Sequence, residues 1–176
     1  MRTFFSTAVW LLGACFGLVS VCAAENAVSV GYGFGIANQS EPGFIQDGHA
    51  YYYATLSYLY EKPFTPAIAL ALEPYVNVVS EPQSGADGGL NLFLKAYLHE
   101  FSPNNRLYVT VGTGGAYTSI QFPEQGTHGL FILQGGIGFR SGRFFVEDRF
   151  HHYSNGGLAS PNRSVNSDLL KVGWYF

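Results

Sequence analysis

From Val28 to Ile36 the even positions read Val28, Val30, Tyr32, Phe34 and Ile36, and the odd ones Ser29, Gly31, Gly33 and Gly35. A two-residue period places the two sets on opposite faces of a β-strand, one apolar and one small. The period recurs in Leu90, Leu92, Leu94, Ala96 and Leu98 against Asn91, Lys95 and His99, and in Phe131, Leu133, Ile137 and Phe139 against Gln134, Gly136 and Arg140. Charged residues are only 12% of the chain, about half of ordinary usage, so such strands do not read as soluble. Beyond the first two dozen residues no apolar run of about 20 occurs, which excludes a helical span. The remaining way to satisfy a backbone in lipid is a closed barrel, with apolar residues outward and small or polar ones inward.

The N-terminal segment stands apart from this pattern. Met1 and Arg2 give a short positive start, Ala8 to Val21 is almost wholly apolar, and Val21-Cys22-Ala23 or Cys22-Ala23-Ala24 offers a small-residue cleavage site. That is the plan of a secretory signal peptide. A retained anchor helix is the rival, opposed by the shortness of the stretch and by the charged Glu25 that follows it. Leu12-Gly13-Ala14-Cys15 has a faint look of a lipoprotein cleavage box, but the apolar run continues past Cys15. Residues 1–24 are therefore assigned to the signal and 25–176 to one barrel domain. Both cysteines lie in the leader, so the exported chain is expected to carry no disulfide. A net charge of −3 without a basic stripe gives no footing for nucleic acid.

Eight strands are predicted, at 27–37, 49–61, 67–79, 89–101, 106–119, 129–139, 143–154 and 166–176. The short connections run from Lys62 to Pro66, Ser102 to Asn105 and Arg140 to Arg143, and the longer ones over 38–48, 80–88, 120–128 and 155–165. Short turns at one end and long loops at the other are the plan of an all-β, eight-stranded antiparallel transmembrane barrel of the bacterial outer membrane, whose long loops face outward from the cell. Leu170, Val172, Trp174 and Phe176 end the chain at alternate positions, and the terminal aromatic resembles an outer-membrane assembly signal. Eight strands leave an interior filled by side chains. The Gly31 to Gly35 and Gly112 to Gly115 stretches lie within strand patterns with no helix after them, so they do not read as phosphate-binding loops.

In the seventh strand Phe144, Val146, Phe150, His152 and Ser154 share the more apolar face, while Glu147, Arg149, His151 and Tyr153 share the other. His152 and Ser154 are thus expected on the lipid side near the outer rim, as a base and a hydroxyl two residues apart. Ordinary polar residues of the rim are the competing reading, and the two stand about even on these residues alone. Asp148 takes the same outward parity, where a charge is costly; a paired neighbour or a bulge that reverses the local facing would relieve it. His49 and His128 fall at loop edges, and His99 and His151 take the inward parity. None has a partner at metal-ligand spacing, so no metal and no cofactor are expected. Lys95, Arg140, Glu147 and Arg149 are expected to pair inside the barrel.

The run His152-Tyr153-Ser154-Asn155, followed by Gly157-Leu158 and Pro161-Asn162 in the last strand pair, resembles the lipid A 3-O-deacylases of Gram-negative outer membranes. The resemblance implies Ser154 as nucleophile, His152 as general base, and Asn155 with the backbone N–H of Gly157 as oxyanion stabilisers. It implies hydrolysis of the ester-linked 3-hydroxyacyl chain at position 3 of lipid A, the lipid approaching the barrel wall sideways. The implied partners are lipopolysaccharide and the outer membrane, with a homodimer left open.

One position departs from the family. Twelve residues after the serine the family carries a glutamate, and this chain has Asn166. Asp168 shares the same face, and a strand pairing with a register sum near 320 would set it opposite His152 as replacement acid; a shift of two would give that place to Asn166. Two other classes of function remain open: a non-catalytic structural or adhesin barrel, and an esterase or acyltransferase acting on another lipid.

Overall fold

In the computed structural model, residues 23–36, 45 and 50–176 are described. Most of the expected leader and His49 therefore lie outside the described residues. Eight strands follow one another: β1 (Glu25–Ile36), β2 (Tyr52–Pro63), β3 (Ile68–Glu81), β4 (Gly85–Ser102), β5 (Asn105–Thr118), β6 (Gly129–Ser141), β7 (Phe144–Ser154) and β8 (Val165–Tyr175). Each pairs antiparallel with its neighbours, and β8 returns to β1 with Trp174 opposite Val28 and Asp168 opposite Phe34. Closure removes both sheet edges, as a spanning sheet requires.

The alternation in the sequence is the alternation of the wall. Val28, Val30, Leu92, Leu94, Leu133, Ile137 and Val172 are exposed on the outside, whereas Lys95, Gln134, Glu147, Arg149 and Lys171 are buried inside. Two expectations change. The connection between β3 and β4 is three residues and not 80–88, because β4 begins at Gly85 and continues the ladder as far as Gly85 opposite Val79. His99 is exposed and not inward, since a bulge between Tyr97 and His99 shifts its pairing with β5 and sets its ring edge-on to Phe101 at 4.5 Å.

Charge pairs run down the interior. Arg149 donates to both carboxylate oxygens of Glu73 at 3.0 and 3.2 Å, to Glu147 at 2.6 Å and to Gln134 at 3.0 Å, and Lys171 donates to Glu73 at 2.6 Å. Below them Lys95 donates to Glu61 at 3.0 Å and to the Tyr175 hydroxyl at 2.6 Å. Nearest the short turns, Arg140 holds Glu25 in a bidentate pair at 2.7 and 2.8 Å. The inward cations expected from the sequence are thus each matched by a carboxylate.

Such a network costs desolvation when formed, and more when one member is removed, because the remaining charge is stranded. Arg149→Met leaves Glu73 and Glu147 facing Lys171 alone. Urea unfolding of the refolded barrel is expected to show a loss of about 3–5 kcal/mol; a loss under about 1 kcal/mol would show that water replaces the guanidinium at little cost.

Candidate active site

β7 carries no bulge, and its parity is unbroken from end to end. Phe145, Glu147, Arg149, His151 and Tyr153 are buried inside, while Phe144, Val146, Asp148 and Phe150 are exposed outside and His152 and Ser154 are partly exposed on the same side. The imidazole and the hydroxyl therefore stand on the membrane-facing wall, with their Cα atoms roughly 7 Å apart along one strand. Ser154 is the last residue of β7, at the long-loop end. Asp148 stays outward, opposite Ile137 and Leu170, so a reversal of facing is not how its charge is accommodated.

The pairing of β7 with β8 sets which residue faces His152. His152 lies opposite Asn166 and Phe150 opposite Asp168. Asp168 is thus two residues away from the place expected for a replacement acid, and Asn166 occupies it. Interior packing sets this register. The Phe145 ring lies over Gly173, where any Cβ would collide with it, and Glu147 sits opposite Lys171. A shift of two would set Phe145 against Tyr175 and separate the charged pair.

Across this register the His152 Nδ1 and the Asn166 Oδ1 are 2.8 Å apart. An amide oxygen can only accept, so Nδ1 carries the proton and donates it. Nε2 is then left with its lone pair available, which is the tautomer a general base needs. Leu133 and Phe131 of β6 flank the pair, opposite His152 and Ser154 respectively.

Beyond Ser154 the chain turns through Gly156 and Gly157, with φ of 62° and 81°, values that disfavour any residue with a Cβ. Asn155 is fully buried and organises the turn. Its Nδ2 donates to the carbonyls of Ala159 at 3.0 Å and Pro161 at 2.9 Å, its Oδ1 accepts from the Gly157 N–H at 2.9 Å, and its own N–H donates to the Asn162 Oδ1 at 2.9 Å. The two residues expected as oxyanion donors are therefore bonded to each other and to the loop.

A second loop braces this one. The Gly126 N–H donates to the Pro161 carbonyl at 2.7 Å and the Arg163 N–H to the Glu124 carbonyl at 2.8 Å. The part played by Glu124 and Gly126 carries no signal in the sequence, because contacts between irregular loops leave no periodicity. His128 binds the Thr118 carbonyl at 2.8 Å and stacks on Tyr117, a structural use of the ring.

A closed eight-stranded wall, apolar outside and ion-paired within, makes this a β-barrel protein of the bacterial outer membrane, with a base and a hydroxyl on its lipid side. The profile of the lipid A 3-O-deacylase (PagL) family matches residues 47–175, and the chain belongs to that family. Among solved structures, the crystal structure of the outer membrane enzyme PagL is similar over 86% of this chain and 99% of that one, with a TM-score of 0.60 and 19% identity. The outer membrane protein OprG from Pseudomonas aeruginosa is similar over 88% of this chain and 96% of its own, with a TM-score of 0.47 and 13% identity. Ail of Yersinia pestis is similar over 88% of this chain and 100% of its own, with a TM-score of 0.47 and 14% identity. No curated protein matches the chain.

Proposed function

We propose that this protein hydrolyses the 3-O-linked hydroxyacyl ester of lipid A, with Ser154 as nucleophile, His152 as general base and Asn166 as the group that orients the imidazole. The observation that carries this reading is the 2.8 Å bond from His152 Nδ1 to Asn166 Oδ1 on the outward wall, beside Ser154 on the same strand face. Family membership supplies the substrate class.

The steps balance without a metal or cofactor. His152 Nε2 takes the Ser154 proton as Oγ attacks the ester carbonyl, and the tetrahedral oxyanion collapses as the same Nε2–H protonates the departing sugar oxygen. Water, deprotonated by His152, then attacks the acyl-serine, and the imidazolium returns that proton to Ser154 Oγ as the Oγ–acyl bond breaks and the hydroxy fatty acid leaves. With an amide in place of an acid, the ring keeps its tautomer while its charged form is less stabilised.

An oxyanion role for Gly157 requires its N–H to exchange its bond to Asn155 Oδ1 for one to the substrate, and one for Asn155 requires its Nδ2 to release the Ala159 or Pro161 carbonyl. The positive-φ turn makes that exchange a local matter, since it needs no strand to move.

Lipopolysaccharide incubated with the purified barrel, followed by mass spectrometry of lipid A, is expected to show loss of one 3-hydroxyacyl unit with appearance of the free acid. An unchanged lipid A profile from correctly folded protein refutes the assignment and leaves the non-catalytic reading. Release of chains from phospholipid instead would make it an esterase of another lipid.

A further inference from the structure

On the membrane-facing wall below Ser154, the β6–β7 pairing lays out a mainly apolar path, bordered on the β8 side by Asp168 opposite Phe150, that ends on Asp148. One step down, His152 faces Leu133; the next step sets Phe150 against Gly135, and the next sets Asp148 against Ile137. Gly135 takes the outward parity, and a Cβ built on it meets only the Thr110 carbonyl oxygen, at 3.6 Å, so the wall is notched there. Leu133, Phe150 and Ile137 around the notch are 60%, 41% and 50% exposed, and the Asp148 residue beneath it is exposed as well.

We propose that this path is a gauge for the acyl chain that Ser154 attacks: the chain lies along the wall through the Gly135 notch, and Asp148 sets the length it tolerates. The inference rests on the esterase reading given above and adds its chain-length specificity. The occupant follows from continuity, since the path begins at the nucleophile and any acyl group held there must leave it along the lipid-facing wall.

Lengths follow from strand geometry. Phe150 is four residues below Ser154, roughly 13 Å, and Asp148 six, roughly 20 Å, at the usual rise per residue. An extended chain gains about 1.3 Å per carbon from ordinary bond lengths. About ten carbons thus reach the notch, and about fifteen reach the carboxylate. A shorter chain gains apolar contact with each methylene added. A longer one must cover Asp148 and displace the water that a lipid-facing carboxyl draws to itself through local thinning of the bilayer.

The test uses lipid A analogues whose 3-O-acyl chain grows in steps from about 8 to about 18 carbons, spanning the distances set by the strand rise. Initial rates are read by mass spectrometry on barrels checked for folding by heat-modifiable gel migration. Wild-type kcat/KM is expected to rise up to about 12–14 carbons and then fall about tenfold or more, the scale at which a pocket discriminates methylenes. Asp148→Leu should remove the fall, so that chains of about 16–18 carbons turn over as fast as those of about 12–14. Gly135→Leu, which fills the notch, should penalise chains of about ten carbons and longer, mainly in KM.

A wild-type profile flat beyond ten carbons, or an Asp148→Leu profile that keeps the fall, overturns the gauge and leaves the esterase assignment standing. No release at any length overturns the assignment and the gauge together.

Discussion

Ser154→Ala is expected to lower release of the 3-hydroxyacyl chain by at least about 10³-fold, with the barrel folded as before. Loss of a nucleophile removes the acyl-enzyme route altogether, and in serine hydrolases such single losses cost as much as removing the whole constellation. His152→Ala is expected to cost a similar factor, and the double variant no more than either alone, because base and nucleophile act as one unit. Ser154 sits at a strand end and is partly exposed, so a methyl in place of its hydroxyl leaves the wall intact. Heat-modifiable gel migration and the urea midpoint should match the wild type. A Ser154→Ala barrel that keeps more than a tenth of the wild-type rate would remove this hydroxyl from the mechanism.

The second large effect runs upward. Asn166→Asp is expected to speed the reaction, because a carboxylate accepts the same Nδ1–H bond and also stabilises the imidazolium formed as Ser154 is deprotonated. Charge assistance is worth about 1–2 kcal/mol over a neutral hydrogen bond, or about five- to thirtyfold in rate. Asn166→Leu removes the acceptor, frees the ring to adopt the wrong tautomer, and is expected to slow the reaction by about 10²-fold or more. The near-isosteric pair separates orientation from packing: Asn166→Asp keeps an acceptor for the Nδ1–H and should stay active, whereas Asn166→Leu removes it and should not. Should Asp168→Asn abolish turnover while Asn166→Leu leaves it unchanged, the orienting role belongs to Asp168 in spite of the register.

These outcomes separate what could be read from residue order from what needed coordinates. The barrel is legible because a period of two runs through β1, most of β4, β6, β7 and β8, and the outward facing of His152 and Ser154 follows from the same parity. The partner of His152 is not. Asn166 and Asp168 share one face, and the choice between them is made inside the barrel, by the Phe145 ring over Gly173 and by Glu147 opposite Lys171. Parity cannot distinguish registers that differ by two.

The start of β4 is hidden in the sequence for a related reason. Gly85, Asp87, Gly88 and Gly89 have the composition of a turn, yet the ladder with β3 runs through them. Gly89 is glycine because a Cβ there would run into the Gly115 carbonyl and the Tyr75 ring. The bonds made by Asn155 were equally hidden, since they depend on how residues 155–162 fold back and not on any repeat.

The ion pairs of the bore have a consequence for the cell that bears the protein. With Arg149, Lys171 and Lys95 each locked to a buried carboxylate, side chains fill the described bore at those levels. An envelope could carry many copies of such a barrel with little loss of osmotic integrity. Asn166→Asp and Asp148→Leu alter only the outer wall, and so should leave that seal untouched.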